Sequence, residues 1–265
     1  MPDLDVLLAA IQASSKYAHV SADVIRRIGA SELGKRRNLK EAIKETKNKL
    51  HQVGGAYQEA MHYARWLEQL AQAAQPREAL REIMRHHAST RERLPILDVF
   101  YPAIFAELGE VRSVLDVACG LNPLAIPWMP LPQDATYHAL DIYADMMHFI
   151  GEYMKQTGIN GTATPCDVLT SIPNPQSPIT LPVDVAFVLK TIPCLEQVDK
   201  AIGSKLLDIL HARHLVVSFP IQSLGGKRKG MLENYATHFA DLVSGKPWRI
   251  KRIEFESELV FVVTK

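Results

Sequence analysis

The sequence has few cysteines, no long apolar run and almost no net charge, and each shortage excludes a class of protein. Its 3 cysteines among 265 residues are widely spaced and form no CxxC pair, so neither a disulfide scaffold nor a zinc knuckle is expected. No apolar run reaches the roughly 18 residues that a membrane-spanning helix needs. The first residues carry acids where a signal peptide would carry Lys or Arg. These features predict a soluble, cytoplasmic protein.

The near-zero net charge hides an asymmetry along the chain. Residues 1–94 hold 16 Lys and Arg against 11 Asp and Glu, whereas residues 95–265 hold 14 against 18. The steepest stretch is 31–50, with seven basic and three acidic residues. Three of its basic residues are adjacent, namely Lys35, Arg36 and Arg37. A basic front part predicts a polyanion contact on one side of the molecule, and a solvated helix face is the alternative for this single run.

The hydrophobic pattern divides the chain into a helical part and an alternating part. Up to residue 108 apolar residues recur at helical spacing, with candidate capping boxes at Asn38 and Ser89. From residue 111 onward short β-rich runs alternate with helical runs, which predicts a mostly parallel sheet covered on both faces. The predicted strands are Val111–Cys119, Thr136–Ile142, Gly161–Val168, Val183–Leu189, His214–Phe219, Trp248–Phe255 and Glu258–Thr264. The helices predicted between them include Ala144–Thr157, Leu195–Leu210 and Leu232–Val243.

One turn carries the strongest local signal for a ligand. The apolar run Val114–Val117 passes through Ala118 and Cys119 into Gly120, so a predicted strand enters a small-residue turn. Gly120 permits a positive φ or the close approach of a ligand to the backbone. In open α/β sheets, ligands bind beyond the carboxyl ends of the strands. Only one glycine is present and no P-loop pattern occurs, so a dinucleotide pyrophosphate, and with it a nicotinamide oxidoreductase, is disfavoured.

Carboxylates at the ends of two further predicted strands indicate which ligand is bound. Asp141 ends the second strand, 25 residues after Asp116, and Asp167 ends the third. Asp141 can accept hydrogen bonds from both hydroxyls of a ribose, and Asp167 can accept one from an adenine amine. A carboxylate set without a phosphate cradle suits S-adenosylmethionine (SAM), because its sulfonium is cationic and it carries no phosphate. Capping of the next helix is the alternative role of either Asp alone.

Four blocks of sequence carry a family resemblance. They read HASTRERL (87–94), DVACGLNP (116–123), SFP (218–220) and SLGGKRKGM (223–231), and the first and last are the most specific. Together they resemble the aminoglycoside-resistance 16S rRNA (guanine-N7) methyltransferases, over the whole chain. The resemblance implies an α/β fold of the class I SAM-dependent methyltransferases, which is Rossmann-like with a mostly parallel seven-stranded sheet. It also implies a helical rRNA-docking domain over 1–87 before a methyltransferase domain over 88–265.

The resemblance further implies a partner and a set of cofactor ligands. The partner is the assembled small ribosomal subunit, modified at one guanine of the 16S rRNA decoding site. Arg91 is implied to bind the methionine carboxylate of SAM, which a guanidinium can hold through two hydrogen bonds. The other implied cofactor residues are Asp116, Ala118, Gly120, Asp141, Ile142, Asp167 and Val168. No metal site and no membrane contact are expected.

Two further groups of residues are predicted to meet the RNA. Lys190, after the fourth strand, lies where class I enzymes place residues near the transferred methyl, and Met231 and Asn234 are expected at the flipped-out base. The basic residues of the glycine-flanked loop after the fifth strand attract phosphate, unless they form only a solvated loop. These are Lys227, Arg228 and Lys229. Lys35, Arg36 and Arg37 would hold the rRNA backbone away from the active site.

The chemistry implied by the resemblance requires no catalytic base. Guanine N7 carries a lone pair and no proton at neutral pH, so the enzyme must extrude the base, align N7 with the sulfonium methyl and exclude water. The paired histidines are accordingly expected on helix surfaces or at caps, and they are His86, His87, His211 and His214. Cys119 is expected to be a packing residue. Two alternatives remain, namely methylation of adenine N1 at the same site and a non-catalytic RNA-binding protein of the same fold.

Overall fold

The computed structural model describes residues 2–55, 61–171, 177–221 and 230–265. The helices in these ranges are α1 Pro2–Gln12, α2 Ala22–Leu33, α3 Leu39–Leu50, α4 Tyr63–Gln72, α5 Pro76–Met84, α6 Ala88–Arg93, α7 Leu97–Leu108, α8 Ala144–Thr157, α9 Val168–Ser171, α10 Ile192–Leu195, α11 Ile202–Ile209 and α12 Met231–Leu242. A π-helical turn, His51–Gly55, follows α3. None of the helices within these ranges could span a membrane.

The helix ends follow local chemistry only in part. The Asn38 side chain accepts a hydrogen bond from the Glu41 amide at 2.9 Å, which confirms the predicted cap of α3. The predicted capping box at Ser89 is wrong, because α6 already begins at Ala88. The helical spacing that runs on to Leu108 is interrupted, as the proline within it predicts. A 3₁₀ turn over Leu94–Ile96 separates α6 from α7, since the Pro95 ring removes a backbone donor.

Seven strands in the described ranges form one sheet, with β4 at its centre and β1 beside it. They are β1 Ser113–Val117, β2 Thr136–Asp141, β3 Asn160–Pro165, β4 Val183–Leu189, β5 Ala212–Pro220, β6 Arg249–Glu254 and β7 Glu258–Thr264. The order is β3-β2-β1-β4-β5-β7-β6. β1 to β5 pair in parallel, and β7 is antiparallel to both β5 and β6. The predicted mostly parallel seven-stranded sheet with a closing hairpin is therefore confirmed.

Two predicted elements end earlier or divide. The third strand ends at Pro165 rather than Val168, so Asp167 follows the strand and its Oδ1 accepts from the Leu169 amide at 3.0 Å at the start of α9. The helix predicted over Leu195–Leu210 is wrong, because the chain forms two short helices, α10 and α11, there.

Two cores cover the two faces of the sheet. Along β4, Val185 and Phe187 belong to one core and Ala186 and Val188 to the other, as the alternation of side chains in a strand requires. The first core continues without a break into the helical part, for example to Ile25 of α2. The amino-terminal helices are thus packed on the sheet through shared apolar burial, which dominates the free energy of such a contact.

Candidate active site at the carboxyl ends of the strands

A cavity lies at the carboxyl ends of β1 to β4. The sheet order reverses between β1 and β4, and ligands of open α/β sheets bind at such a switch point. The strand ends contribute Ala118, Cys119, Asp141, Ile142, Cys166, Asp167, Val168 and Lys190 to its lining. Five of the predicted cofactor residues are among them, which are Ala118, Asp141, Ile142, Asp167 and Val168.

The backbone at the switch point is held in a left-handed conformation. Ala118 and Lys190, which follow β1 and β4, have φ values of 53° and 57°, although neither is glycine. Such residues cost on the order of 1–3 kcal/mol and collect at functional sites. Gly120 has a φ of 53°, and a Cβ at this position would lie 2.7 Å from His87 Cε1. The positive φ predicted at Gly120 is confirmed, although Gly120 lies behind the cavity lining.

Asp141, at the end of β2, lines the cavity and is held by backbone donors. Its Oδ2 accepts from the Gly120 amide at 2.9 Å, and its Oδ1 accepts from the Ile142 amide at 2.7 Å. Burial raises the pKa of Asp141 to about 6, although these backbone donors oppose the shift. The carboxylate is therefore largely ionised at neutral pH and is anchored by the backbone while it lines the cavity. A nucleoside without phosphates fits this arrangement.

Asp167 lines the cavity next to the helical part of the chain. Arg27 of α2 donates from Nε to Asp167 Oδ2 at 2.7 Å and from Nη2 to Oδ1 at 3.2 Å. The pair spans 140 residues of sequence, and nothing in the local pattern around Arg27 indicated it. Val24 and Gly54 line the cavity from the same side.

Asp116 is placed differently from the other two carboxylates. It lies within β1, is 1% exposed and does not line the cavity. Its Oδ2 accepts from the Tyr137 hydroxyl at 2.6 Å and from Asn122 Nδ2 at 2.8 Å. Burial raises the pKa of Asp116 to about 6, although these hydrogen bonds oppose the shift. The structure gives Asp116 a part in a buried network beneath the glycine turn, and its contact with the cofactor stays a prediction.

A cluster of four charged side chains borders the cavity beside β4. Lys190 Nζ lies 2.8 Å from Glu92 Oε2 and 3.4 Å from Glu258 Oε2. Glu258 is fully buried and also accepts from Arg93, at 2.7 Å to Oε1 and 3.0 Å to Oε2. Burial alone would raise the pKa of Glu258, but Arg93 and Lys190 outweigh it and lower the pKa. The two cations and two carboxylates neutralise one another.

Three of the four sequence blocks meet at this cluster. HASTRERL contributes Glu92 and Arg93, and the SFP block contributes Ser218, whose hydroxyl donates to Glu258 Oε1. DVACGLNP contributes Asn122, whose Oδ1 accepts from Arg93 Nη1 at 2.7 Å. Sequence reasoning missed Arg93 and Glu258, and the position of Arg93 within the first block was the signal that could have found it.

The histidine and the cysteine at the glycine turn have no nucleophilic or basic role in this geometry. His87 occupies the N-cap position of α6, which agrees with the expectation of a capping histidine, and it also lines the cavity. His214 lies in β5 instead, so the expectation was wrong for that residue. Burial, followed by the charges of Lys190 and Arg93, lowers the pKa of His87 to about 4 and leaves it neutral at physiological pH. Burial raises the pKa of the Cys119 thiol, which fits a packing residue.

Other predicted site residues lie outside the lining. Arg91 is exposed and donates to the Arg85 carbonyl at 3.3 Å, whereas its neighbour Ser89 lines the cavity. Met231 and Asn234 lie in the first turn of α12 and do not line the cavity either. Their contacts with the cofactor or the base stay predictions. Lys227, Arg228 and Lys229 lie outside the described residues.

The predicted basic triplet lies between α2 and α3, and its members are exposed. Lys35 donates to the Ser31 hydroxyl at 2.9 Å. Arg36 instead pairs at 2.8 Å with Glu32, a fully buried carboxylate that Lys49 also contacts at 2.8 Å. Arg36 therefore supports the junction of α2 and α3, whatever contact it makes with RNA.

Comparison with known proteins identifies the class of chemistry. The sequence matches the family model described as ribosomal RNA methyltransferase (FmrO) over residues 13–262. The chain belongs to this family. The family resemblance predicted from the sequence blocks is confirmed, and the methyltransferase has the class I fold that the resemblance implied.

Individual relatives match the methyltransferase over its full length. It is 37% identical over 271 residues to a 16S rRNA (guanine(1405)-N(7))-methyltransferase of Micromonospora rosea, which covers 99% of this chain and 97% of that protein. A protein of the same name from Serratia marcescens is 32% identical, with 97% of each chain covered. The crystal structure of the 16S rRNA methyltransferase RmtF in complex with S-adenosyl-L-homocysteine superposes with a TM-score of 0.86 at 30% identity, covering 99% of this chain and 98% of that one. SAM is therefore the cofactor of this methyltransferase.

Proposed function

We propose that this chain is a 16S rRNA (guanine-N7) methyltransferase that modifies the decoding site of the assembled small ribosomal subunit and thereby confers aminoglycoside resistance. The observation that carries this proposal is the cavity with Asp141 at the end of β2, in a chain that matches proteins of that name along its whole length. The product guanine carries a fixed positive charge, which repels a polycationic drug from the same site.

The residues that line the cavity suit binding and positioning. When bound, SAM supplies a methyl group on a cationic sulfonium. In our proposal Asp141 accepts hydrogen bonds from the ribose hydroxyls, and Asp167 accepts one from the adenine amine. Arg91 is proposed to bind the methionine carboxylate from α6, the helix whose residue Ser89 lines the cavity. No proton has to be removed from guanine N7, which agrees with the pKa of about 4 that makes His87 a weak proton acceptor.

Lys190 favours guanine over adenine as the target. Guanine presents O6 and N7 as acceptors on one edge, whereas adenine presents a donor at N6. An ammonium group is a donor only, so a Lys190 Nζ that exchanged its hydrogen bond to the Ser89 carbonyl for one to the base would suit the guanine edge. Glu92 and Glu258 balance its charge, which limits its repulsion of a sulfonium in the same cavity. Met231 and Asn234 are proposed to complete the base pocket from α12.

The docking surface is proposed to lie on the amino-terminal helices. Residues 1–87 would dock rRNA and residues 88–265 would transfer the methyl group. Lys35 and Arg37 are exposed for contact with phosphates, and the loop cations Lys227, Arg228 and Lys229 are proposed to do the same near the base. In this proposal the partner is the small ribosomal subunit and the enzyme acts in the cytoplasm.

The test is to locate the modified nucleotide chemically. Small subunits that lack the modification are incubated with protein and SAM, treated with borohydride and aniline, and analysed by reverse transcription. Cleavage at one decoding-site guanine is the expected result, and Asp141→Ala serves as the inactive control. A reverse-transcription stop at an adenine without chemical cleavage would identify the adenine-N1 activity instead. Subunit binding without any methyl transfer would identify a non-catalytic RNA-binding protein.

A further inference from the structure

The amino-terminal helices form one wall of the cofactor cavity. The backbone at Val20 makes an antiparallel bridge with Tyr143, and the Ser21 amide donates to the Ile142 carbonyl at 2.9 Å. These contacts attach the start of α2 to the segment that directly follows Asp141. Val24 and Arg27, on the first turns of α2, then reach the cavity itself. A region proposed to dock RNA therefore also shapes the cofactor site.

Arg27 and its neighbour Arg26 have different environments on the same helix. The Arg27 side chain is 24% exposed and pairs with Asp167, whose side chain is only 4% exposed. The Arg26 side chain is 49% exposed and pairs with Asp23 of the same helix, at 3.5 Å. A nearly buried carboxylate requires a charge partner, whereas an exposed pair contributes little. Of the two adjacent arginines, Arg27 is thus the one that the buried carboxylate requires, and Arg26 provides a matched control.

The geometry of the ion pair fixes the plane of the Asp167 carboxylate. Arg27 binds both carboxylate oxygens, and the Leu169 amide binds Oδ1 as well. A carboxylate held on both oxygens cannot rotate without breaking hydrogen bonds, and two-point guanidinium binding adds geometric specificity to charge. The direction in which Asp167 presents its oxygens to the cavity is therefore set by a residue of the helical part.

We propose that Arg27 is a positioning residue of the cofactor site, which neutralises the Asp167 carboxylate and orients it toward the adenine amine of SAM. This inference rests on the proposed function, because that proposal assigns Asp167 to the adenine. It extends that function by making recognition of the cofactor's base a shared property of the helical part and the sheet. The contribution of Arg27 to binding is specific to the exocyclic amine, since that is the group from which Asp167 would accept a hydrogen bond.

The test compares two ligands that differ at the exocyclic group. Full-length wild type, Arg27→Ala, Arg27→Lys and the control Arg26→Ala are titrated calorimetrically with S-adenosyl-L-homocysteine and with S-inosyl-L-homocysteine, which carries a carbonyl oxygen in place of the amine. We expect Arg27→Ala to lower the affinity for S-adenosyl-L-homocysteine about tenfold, because the Asp167 carboxylate is then no longer oriented as an acceptor. The affinity for the inosyl ligand should fall by no more than about twofold. Arg27→Lys should fall between Arg27→Ala and wild type, and Arg26→Ala should bind both ligands as wild type does.

The outcomes separate this inference from the proposed function. Equal weakening of both ligands would mean that Arg27 only supports the local fold, and unchanged affinity for S-adenosyl-L-homocysteine would also overturn the inference. Wild type that binds neither ligand would overturn the proposed function instead. Thermal unfolding of the ligand-free variants shows whether each is folded, and Arg27→Lys, which keeps the charge, decides the question if Arg27→Ala does not fold.

Discussion

The two ion-paired ends of the cofactor cavity hold their charges in different ways. Beside α2 a single pair, Arg27 with Asp167, joins the helical part to the segment after β3, and Arg27 remains partly exposed. Beside β4 a four-charge cluster is almost closed to solvent, with Arg93 and Glu258 at 1% and 0% exposure. From this difference we expect the first pair to serve ligand binding, as proposed above, and the cluster to be needed for the fold itself as well as for Lys190.

The largest expected effect comes from breaking the buried cluster. Glu258→Ala would leave Arg93 and Lys190 short of a carboxylate in the interior, so the free energy of unfolding should fall by about 3–5 kcal/mol. The pKa of Glu258 is lowered, so its contribution is present above the unfolded value and is lost as the pH falls through the folded pKa. Urea unfolding at neutral pH therefore measures it in full.

The control for this variant lies two residues away in the same hairpin. Glu256 is exposed, and Glu256→Ala should change the free energy of unfolding by no more than about 0.5 kcal/mol. A loss of less than about 1 kcal/mol in Glu258→Ala would contradict the view that the cluster is a structural requirement.

Removal of the Asp141 carboxylate, which is proposed to bind the ribose, tests the role of the cavity in cofactor binding. Asp141→Ala would delete the acceptor of two charge-assisted hydrogen bonds, so affinity for S-adenosyl-L-homocysteine should fall about 100-fold. Calorimetric titration measures this change. Asp134→Ala, at the exposed start of β2, is the matched control and should bind like wild type. An Asp141→Ala protein with wild-type affinity would exclude Asp141 from the cofactor site.

The pH dependence of S-adenosyl-L-homocysteine binding is a second test of the role of Asp141. The pKa of Asp141 is raised to about 6 by burial, so the carboxylate is ionised above this value and loses acceptor capacity as the pH falls through it. Affinity for S-adenosyl-L-homocysteine should therefore fall about tenfold between about pH 7.5 and about pH 5. Asp141→Asn cannot titrate at this position and should show a flat profile. An equally steep profile in that variant would assign the titration to another group.

The smallest expected effect concerns the outer face of the helical part. Lys35→Glu combined with Arg37→Glu should weaken binding to small subunits about fivefold and flatten its salt dependence, because phosphate contacts release counterions. Affinity for S-adenosyl-L-homocysteine should not change. Arg36 is left intact, since its pairing with buried Glu32 would confuse docking with stability. The control for net charge is Lys155→Glu combined with Lys200→Glu, because both residues are exposed and lie on the other part of the chain. If this control weakened subunit binding equally, the effect would not be specific to the basic triplet.

Much of the fold was predictable because it depends on neighbouring residues. The β-rich apolar run Val183–Leu189 predicted β4 with its observed bounds, and the turn at Gly120 predicted a positive φ. Asp141 was placed correctly at the end of β2 because a strand end can be located from the strand alone. The break after α6 was predictable from Pro95 alone. The early end of β3 was missed, since a side-chain hydrogen bond to the next turn overrides the periodic pattern there.

The arrangement of charges could not be predicted in the same way. Arg27 and Arg26 are adjacent and chemically identical, yet only one faces the cavity. Asp116 and Asp141 both belong to strands of the parallel sheet, yet one is enclosed by Tyr137 and Asn122 while the other lines the cavity. The direction in which each side chain points relative to distant elements decides these roles.

By itself the sequence determined a parallel sheet after a helical region, the strand-end carboxylates and membership of a methyltransferase family, because periodicity, turn chemistry and contiguous blocks are local properties. Tertiary structure alone decided that α2 forms a wall of the cofactor cavity and that Glu258 closes a buried charge cluster. Those contacts join residues 140 and 165 positions apart. Packing of the helices on the sheet brings them together, and desolvation of the carboxylates then makes their cationic partners indispensable.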